Sequence, residues 1–200
     1  GSVPTVVRWT ISNGSCADSF EDITLQNYTT PTTADAGTDQ EQCNNGNFTL
    51  AGNNPASGTG AWTIQGAANG ASITTPTAFN SGVTGLTAGN SVTLRWTISN
   101  GVCTDSFDEV VLTNSASPTV ADAGIDIDQC ATATFVMAAN TPTVGTGTWS
   151  IQSGPGAITN ANSPTTTITG VTAGDGSVPT VVRWTISNGS CADSFEDITL

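Results

Sequence analysis

Residues 92–101 read VTLRWTISNG, and this stretch decides the fold of the chain. Apolar side chains alternate with polar ones through it, and a period of two predicts a β-strand with one buried and one wet face. The strand ends at Asn100-Gly101, a dipeptide that tolerates the positive φ angles of a tight hairpin turn. Val110 and Leu112 then lie on one face of a second strand. The stretch therefore predicts an antiparallel β-hairpin.

The same hairpin recurs along the chain. The motif RWTISNG begins at Arg8, Arg95 and Arg183, at steps of 87 and 88 residues (95 − 8 and 183 − 95). Residues 1–25 and 176–200 are identical, so the sequence returns to its start after 175 residues (176 − 1). A motif that every repeat shares is typical of a tandem array rather than of one enzyme's active site.

The repeats divide the chain into three predicted domains: the C-terminal part of one at 1–32, a whole one at 33–118, and a nearly complete one at 119–200 of the same type as 1–32. Short strands separated by turns rich in Gly, Asn and Pro predict an all-β fold of antiparallel sandwiches. The links around Pro31 and Pro118 are rich in Thr, Ser and Pro, which favours extended connections. We therefore expect sandwiches strung like beads.

Tryptophan side chains are predicted to anchor the cores of these small domains. An indole buries about 150–250 Å², which is a large share of the apolar area that a short repeat can bury. One tryptophan of a middle strand and one of a late strand are expected to meet across the two sheets of a sandwich. The predicted core residues are Trp9, Trp62, Trp96, Trp149 and Trp184.

The charge of the chain excludes whole classes of function. The net charge is −13, with three arginines and neither lysine nor histidine. Nucleic-acid binding requires many cations that displace counterions from phosphates, so we exclude it. Serine, cysteine and paired carboxylates have no histidine base beside them, so we predict that the chain is not an enzyme. No stretch is long and apolar enough for insertion in a membrane.

Acidic residues near the links are candidate calcium ligands. Oxygen ligands at alternating positions can hold Ca²⁺ between domains, and the alternative is solvated surface charge. The sequence predicts no other cofactor and no firm metal site, because no twelve-residue calcium loop is present. The candidate ligands are Asp35, Asp39, Asp122, Asp126 and Asp128.

The three arginines lie on the predicted wet face of the same strand in each repeat. We expect each guanidinium to stack on a neighbouring aromatic ring or to pair with a carboxylate across the sheet. Contact with a neighbouring domain or chain is the alternative.

The five cysteines recur with the repeats, in two kinds of local sequence. Without histidine or a Cys-x-x-Cys pair they do not suit zinc, so they predict disulfides and an oxidising, extracellular setting. Pairing within each repeat, Cys43–Cys103 and Cys130–Cys191, is the favoured prediction, with Cys16 bonded to an upstream repeat. Pairing across the repeat borders, Cys16–Cys43 and Cys103–Cys130, fits the count equally well.

Several motifs together resemble a known kind of repeat. They are ADAGTDQ at 34–40 followed by Cys43, RWTISNG at 95–101 followed by Cys103, GTGTWSI at 145–151, SGPG at 153–156 and NSPTTT at 162–167. This combination resembles the PKD-like, immunoglobulin-like repeats of giant Bacteroidota cell-surface proteins, including gliding-motility adhesins. The resemblance implies an immunoglobulin-like sandwich, export to the bacterial cell surface, and a structural or adhesive role.

The sequence as a whole predicts a structural segment of an extracellular bacterial filament or adhesin stalk, in which two domains repeat every 175 residues. Its expected partners are neighbouring repeats of the same chain and other filament chains. One alternative is a module that binds carbohydrate or another ligand, although Tyr28 and Phe79 are the only aromatic residues outside the strand patterns. Another alternative is a passive spacer in a secreted enzyme.

Overall fold

The computed structural model describes residues 3–172 and 179–200. Every regular element in those residues is a β-strand. The strands are β1 (Thr5–Ile11), β2 (Ser19–Leu25), β3 (Gln40–Cys43), β4 (Phe48–Thr49), β5 (Thr59–Gln65), β6 (Ser72–Ile73), β7 (Gly82–Thr84), β8 (Asn90–Ser99), β9 (Ser106–Ser115), β10 (Thr134–Val136), β11 (Thr146–Ser153), β12 (Ala157–Ile158), β13 (Thr167–Thr169), β14 (Val181–Ser187) and β15 (Ser194–Thr199).

The strands form two sandwiches and one hairpin. In the first sandwich a sheet of order β3-β9-β8-β5 accompanies a sheet of order β4-β7-β6. In the second, the orders are β11-β14-β15 and β10-β13-β12, and the strands pair antiparallel. Strands β1 and β2 pair with each other in a two-stranded sheet. The predicted all-β fold of antiparallel sandwiches is confirmed.

The chain divides into two compact units. The first comprises Gly1–Gln40, Asn47–Leu86 and Val92–Leu112. The second comprises Glu41–Gly46, Thr87–Ser91 and Thr113–Leu200. Each unit has one core, with buried residues between Ala34 and Leu112 in the first and between Ala121 and Ile198 in the second.

The alternation predicted from residues 92–101 appears as burial in strand β8. Its side chains alternate between buried and half-buried from Val92 to Ser99. Leu94, Trp96 and Ile98 have no exposed surface at all. One face of β8 therefore forms the core, as the period of two requires.

Four of the five predicted tryptophans lie in cores, but they meet in an unexpected way. Trp62 on β5 is directly opposite Trp96 on β8, with ring centroids 5.0 Å apart. Trp149 on β11 is likewise opposite Trp184 on β14, at 5.2 Å. The prediction that such pairs meet across two sheets was wrong. Opposite residues of antiparallel neighbours point to the same face of one sheet, which places the two rings side by side.

Trp9, the fifth tryptophan of the predicted core set, is 72% exposed. Its strand, β1, pairs only with β2 among the described strands, whereas its equivalent β14 has β11 on its other side. With no second sheet packed over it, the indole stays in solvent. The prediction of a core position for Trp9 is therefore corrected for this structure.

Two asparagines tie the segment before each sandwich to a core indole. The side-chain oxygen of Asn53 accepts hydrogen bonds from Trp96 Nε1 at 3.1 Å and from the Asp35 backbone at 3.0 Å. Its amide nitrogen donates to the Thr33 carbonyl at 2.8 Å. Asn140 makes the corresponding bonds in the second sandwich. Each asparagine thus satisfies a buried indole N–H and fixes the incoming chain.

A glycine of β5 lets the indole of Trp96 lie flat on the neighbouring strand. A Cβ built on Gly60 would overlap the six-membered ring of Trp96, and Gly147 has the same relation to Trp184. Such an overlap forces side-chain or backbone shifts in a close-packed core, at a cost of about 1–3 kcal/mol.

Gly60→Ala is therefore expected to lower the free energy of unfolding by about 1–3 kcal/mol, because the indole must leave its position. Urea denaturation followed by tryptophan fluorescence measures this change. Thr59→Ala is the matched control, since Thr59 is exposed in the same strand. Equal stability of Gly60→Ala and Thr59→Ala would contradict the packing account.

Candidate functional site

The three arginines form equivalent clusters on the wet faces of the hairpins. Each guanidinium carbon lies over a phenylalanine ring, at 3.9 Å for Arg8 on Phe20 and 3.9 Å for Arg183 on Phe195. Arg95 lies 4.2 Å over the ring of Phe107. Each arginine also bonds a carboxylate on the next strand: Asp22, Glu109 and Asp197, respectively. Both predicted contacts, aromatic stacking and carboxylate pairing, are confirmed.

Two of these ion pairs lower the pKa of the carboxylate. The hydrogen bond from Arg183 holds the pKa of Asp197 below its usual range, and the bond from Arg8 does the same to the pKa of Asp22. Both pairs are solvent-exposed, so their contribution to stability is small. Each cluster therefore joins the two strands of its hairpin on the wet face.

Four of the five predicted calcium ligands accept hydrogen bonds from backbone N–H groups. Asp39 accepts from Val111 at 2.8 Å and Asp126 from Thr199 at 2.8 Å, so both hold the segment before a cysteine against the last strand of its sandwich. Asp35 and Asp122 accept from Gly37 and Gly124, both at 2.9 Å, which closes a turn in each link. Asp128 is exposed.

No three metal-ligating side chains come together within residues 3–172 and 179–200. Calcium binding at Asp35, Asp39, Asp122, Asp126 and Asp128 stays a prediction.

The cysteines pair differently from either predicted scheme. Cys43 is bonded to Cys191, 148 residues further along the chain, with the two Cα atoms 4.9 Å apart. Cys16, Cys103 and Cys130 carry free thiols. The favoured pairs Cys43–Cys103 and Cys130–Cys191, and the alternatives Cys16–Cys43 and Cys103–Cys130, are therefore wrong for this structure. The bond of Cys16 to an upstream repeat is not tested.

Strand length explains why a repeat does not close its own disulfide. Asn44, next to Cys43, bonds the carbonyl of Ser115 at the end of β9, whereas Cys103 precedes the start of β9. The two cysteines thus flank a ten-residue strand that rises about 3.3 Å per residue. Disulfide-bonded Cα atoms must lie within about 7 Å, so cysteines at opposite ends of this strand cannot bond to each other.

Cys191 sits in a small polar site in the second unit. The turn that carries it is closed by a bond from its own backbone N–H to the Asn188 carbonyl at 3.1 Å. The Asn188 side chain donates to the carbonyl of Ala116 in the link at 2.7 Å. The sulfur of Cys191 lies 3.3 Å from that carbonyl oxygen. We call this arrangement of Asn188, Cys191 and the link carbonyl the cysteine seat.

A carboxylate completes the seat beside the disulfide. Glu41, two residues before Cys43, accepts hydrogen bonds from the Ser115 hydroxyl at 2.6 Å and from the Ser190 backbone at 2.8 Å. These two bonds, the hydroxyl bond first, hold the pKa of Glu41 below its usual range. Glu41 belongs to an acidic cluster of the sequence, but its partners could not be predicted because they are 74 and 149 residues away.

The two identical hairpins have opposite environments on their apolar faces. In β14 and β15, Val182, Trp184 and Ile186 are 0% exposed and Ile198 is 3% exposed. The same residues in β1 and β2 are far more accessible: Val7 is 43% exposed, Trp9 72%, Ile11 61% and Ile23 55%.

The phenylalanine on the wet face, by contrast, is equally exposed in the two hairpins. Phe20 is 57% exposed and its equivalent Phe195 is 56% exposed. The backbone register is also the same, since Trp9 is opposite Glu21 and Trp184 opposite Glu196. The difference is therefore largest on the apolar face, and it comes from the strands that cover β14 and β15.

The two aromatic residues outside the strand patterns take part in local packing. The ring of Tyr28 lies against Gly101, and the carbonyl of Phe79 accepts hydrogen bonds from Trp62 Nε1 and the Gly52 backbone. Within the described residues there is also no helix that is both long and apolar enough to traverse a lipid bilayer.

Comparison with solved structures finds matches of low sequence identity. No protein-family model and no curated protein sequence matches the chain. Among solved structures, the insect immune protein hemolin is 14% identical with a TM-score of 0.42, and the match covers 97% of this chain and 55% of hemolin. The I67–I69 fragment of titin is 10% identical with a TM-score of 0.49, at 87% and 66% coverage. The IG1+IG2 fragment of DIP-gamma is 7% identical with a TM-score of 0.44, at 86% and 97% coverage.

The Glu41 contacts predict a specific dependence of stability on pH. A carboxylate whose pKa is lowered by folding stabilises the fold above its unfolded pKa of about 4.3, and this contribution is lost as the pH falls through the folded pKa. Glu41→Gln should therefore be less stable than the parent at pH 7 and match it at pH 2. Urea unfolding at several pH values measures this.

Asp128→Asn is the matched control, because Asp128 takes the position of Glu41 in the next repeat and is likewise exposed. This variant should match the parent chain in stability at pH 7, because exposed substitutions change stability little. A constant stability difference between parent and Glu41→Gln at all pH values would contradict the assignment.

Proposed function

We propose that the chain is a structural segment of an extracellular bacterial filament or adhesin stalk, built from a 175-residue unit that repeats along the fibre. Its partners are neighbouring repeats of the same chain and other filament chains. The observation that carries the proposal is the identical hairpin whose apolar face is buried at residues 181–199 and exposed at residues 5–25.

The exposed apolar face of β1 and β2 requires further strands that bury it. Full burial of a valine or isoleucine side chain is worth about 1.5–3 kcal/mol, and an indole buries more area. Four such side chains left in solvent are a strong driving force for association. The strands β10–β13 already cover the identical face in the second sandwich. We therefore assign the cover of β1–β2 to a copy of residues 119–172.

Other properties agree with an extracellular structural role. The disulfide fits an oxidising compartment. The charge of −13 keeps a repetitive chain soluble and discourages lateral association. The resemblance of the sequence motifs to repeats of Bacteroidota surface proteins supports the cell surface as the location.

The cover is tested by joining a copy of residues 119–175 in front of residue 1, which recreates the junction between residues 175 and 176. Hydrogen exchange of residues 5–25 should slow by more than about tenfold, as 1.4 kcal/mol of added protection would give. The chain also carries Thr10→Ser on the wet face of β1. This substitution gives peptides from residues 5–25 a mass that differs from that of their duplicates at 176–200.

The matched control carries Ile168→Asp in the added copy. Ile168 is 0% exposed in the sheet facing β11-β14-β15, so the buried charge prevents formation of the cover. This control should leave exchange of residues 5–25 fast. Fast exchange with the unaltered extension as well would refute the proposed function.

A further inference from the structure

The turn at Cys103 repeats the cysteine seat in the first unit. The backbone N–H of Cys103 bonds the Asn100 carbonyl at 3.2 Å, and the Asn100 side chain donates to the Thr29 carbonyl at 2.8 Å. The Cys103 sulfur lies 3.4 Å from that same oxygen. These are the contacts that Cys191 makes with Asn188 and Ala116. The two seats differ in that Cys191 is bonded to Cys43, whereas Cys103 is free and half-buried.

The segment at Cys130 repeats the one that presents Cys43. Asp126 holds it to the Thr199 backbone, as Asp39 holds its counterpart to Val111. The residue that follows each cysteine has a positive φ, 48° at Asn44 and 58° at Ala131. Left-handed residues other than glycine are uncommon, so the shared bend indicates that both segments turn in the same way. Cys130 is exposed and free.

The part of the chain that the structure describes thus contains one occupied seat, one empty seat and one free cysteine, Cys130, of the kind that fills a seat. With a period of 175 residues, the next copy of Cys103 follows Cys130 by 148 residues (175 − 130 + 103). The bonded pair Cys43 and Cys191 is also separated by 148 residues.

We propose that Cys130 of one 175-residue unit forms a disulfide with Cys103 of the next unit. The proposal rests on the proposed function, because it requires consecutive units in one chain. Every cysteine of the array then has a partner in the neighbouring repeat, and the disulfides form an unbroken series along the fibre. In that series Cys16, the sequence equivalent of Cys191, bonds the preceding copy of Cys43.

The bond forms by oxidation of two thiols. The two sulfurs join, two protons are released, and two electrons pass to a disulfide oxidant. An oxidised thiol oxidoreductase serves in a cell and oxidised glutathione serves in the test. The oxidant is itself reduced to two thiols.

The two kinds of seat differ beside the sulfur. In the occupied seat Ser115 and Ser190 bond Glu41. Their sequence counterparts in the empty seat are Tyr28 and Val102, and Val102 is 91% exposed. The empty seat therefore has an aromatic and an aliphatic residue where the occupied seat has two serines.

The test uses a two-copy chain, residues 1–175 followed by residues 1–200, refolded with reduced and oxidised glutathione. This chain has nine cysteines, four in its first part and five in its second. The proposal predicts three disulfides and three free thiols, counted with a thiol reagent in denaturant. Peptide mapping without reductant should recover Cys130 of the first copy bonded to Cys103 of the second.

Two matched variants assign the bond. Cys103→Ser in the second copy should raise the number of free thiols from three to four, because Cys130 of the first copy loses its partner. Cys103→Ser in the first copy should lower the number to two, because that thiol has no partner in this chain.

Failure of the inference is distinguishable from failure of the proposed function. If the hairpin between the two copies is protected from hydrogen exchange but five thiols stay free, the array stands and the proposed disulfide is overturned. If that hairpin exchanges freely, the array itself is refuted. Recovery of Cys103 or Cys130 bonded to any other cysteine also overturns the inference.

Discussion

The apolar face of the RWTIS hairpin must be covered, and this constraint governs the rest of the structure. A two-stranded hairpin is marginally stable alone in water, and Trp184 becomes buried because β11 pairs with β14 and a second sheet packs over the indole pair. Gly147 in β11 leaves space for that same indole, and the Asn140 side chain accepts a hydrogen bond from its N–H group. At β1, where no such cover is present, the same residues are exposed.

The links between repeats are fixed by side chains of the sandwiches rather than by secondary structure. In the first unit, Asn100 binds the Thr29 carbonyl at one end of the link and Asn53 binds the Thr33 carbonyl near the other. In the second unit, Asn188 and Asn140 bind the carbonyls of Ala116 and Val120. These bonds satisfy carbonyl groups of the links, which lie outside the sheets.

The elements that follow from local sequence could be predicted, and those that depend on distant residues could not. The alternation of apolar and polar residues correctly predicted which face of β8 is buried. The position of Arg95 on the solvent-exposed face predicted that it stacks on an aromatic ring. The tryptophan pairs were misplaced because periodicity gives the face of a strand but not its neighbour in the sheet. The predicted disulfide Cys43–Cys103 is wrong because the two cysteines, although they belong to one repeat, lie at opposite ends of β9. The hydrogen-bond partners of Glu41 belong to two segments that are distant from it in the sequence, so no local pattern predicts them.

The most direct test of the central claim, that 175-residue units add end to end as a fibre, is the length of chains built from one to four units, measured by electron microscopy under oxidising conditions. The account predicts rods whose length grows by the same increment with every unit. Compact particles whose diameter grows only as the cube root of chain mass would contradict it.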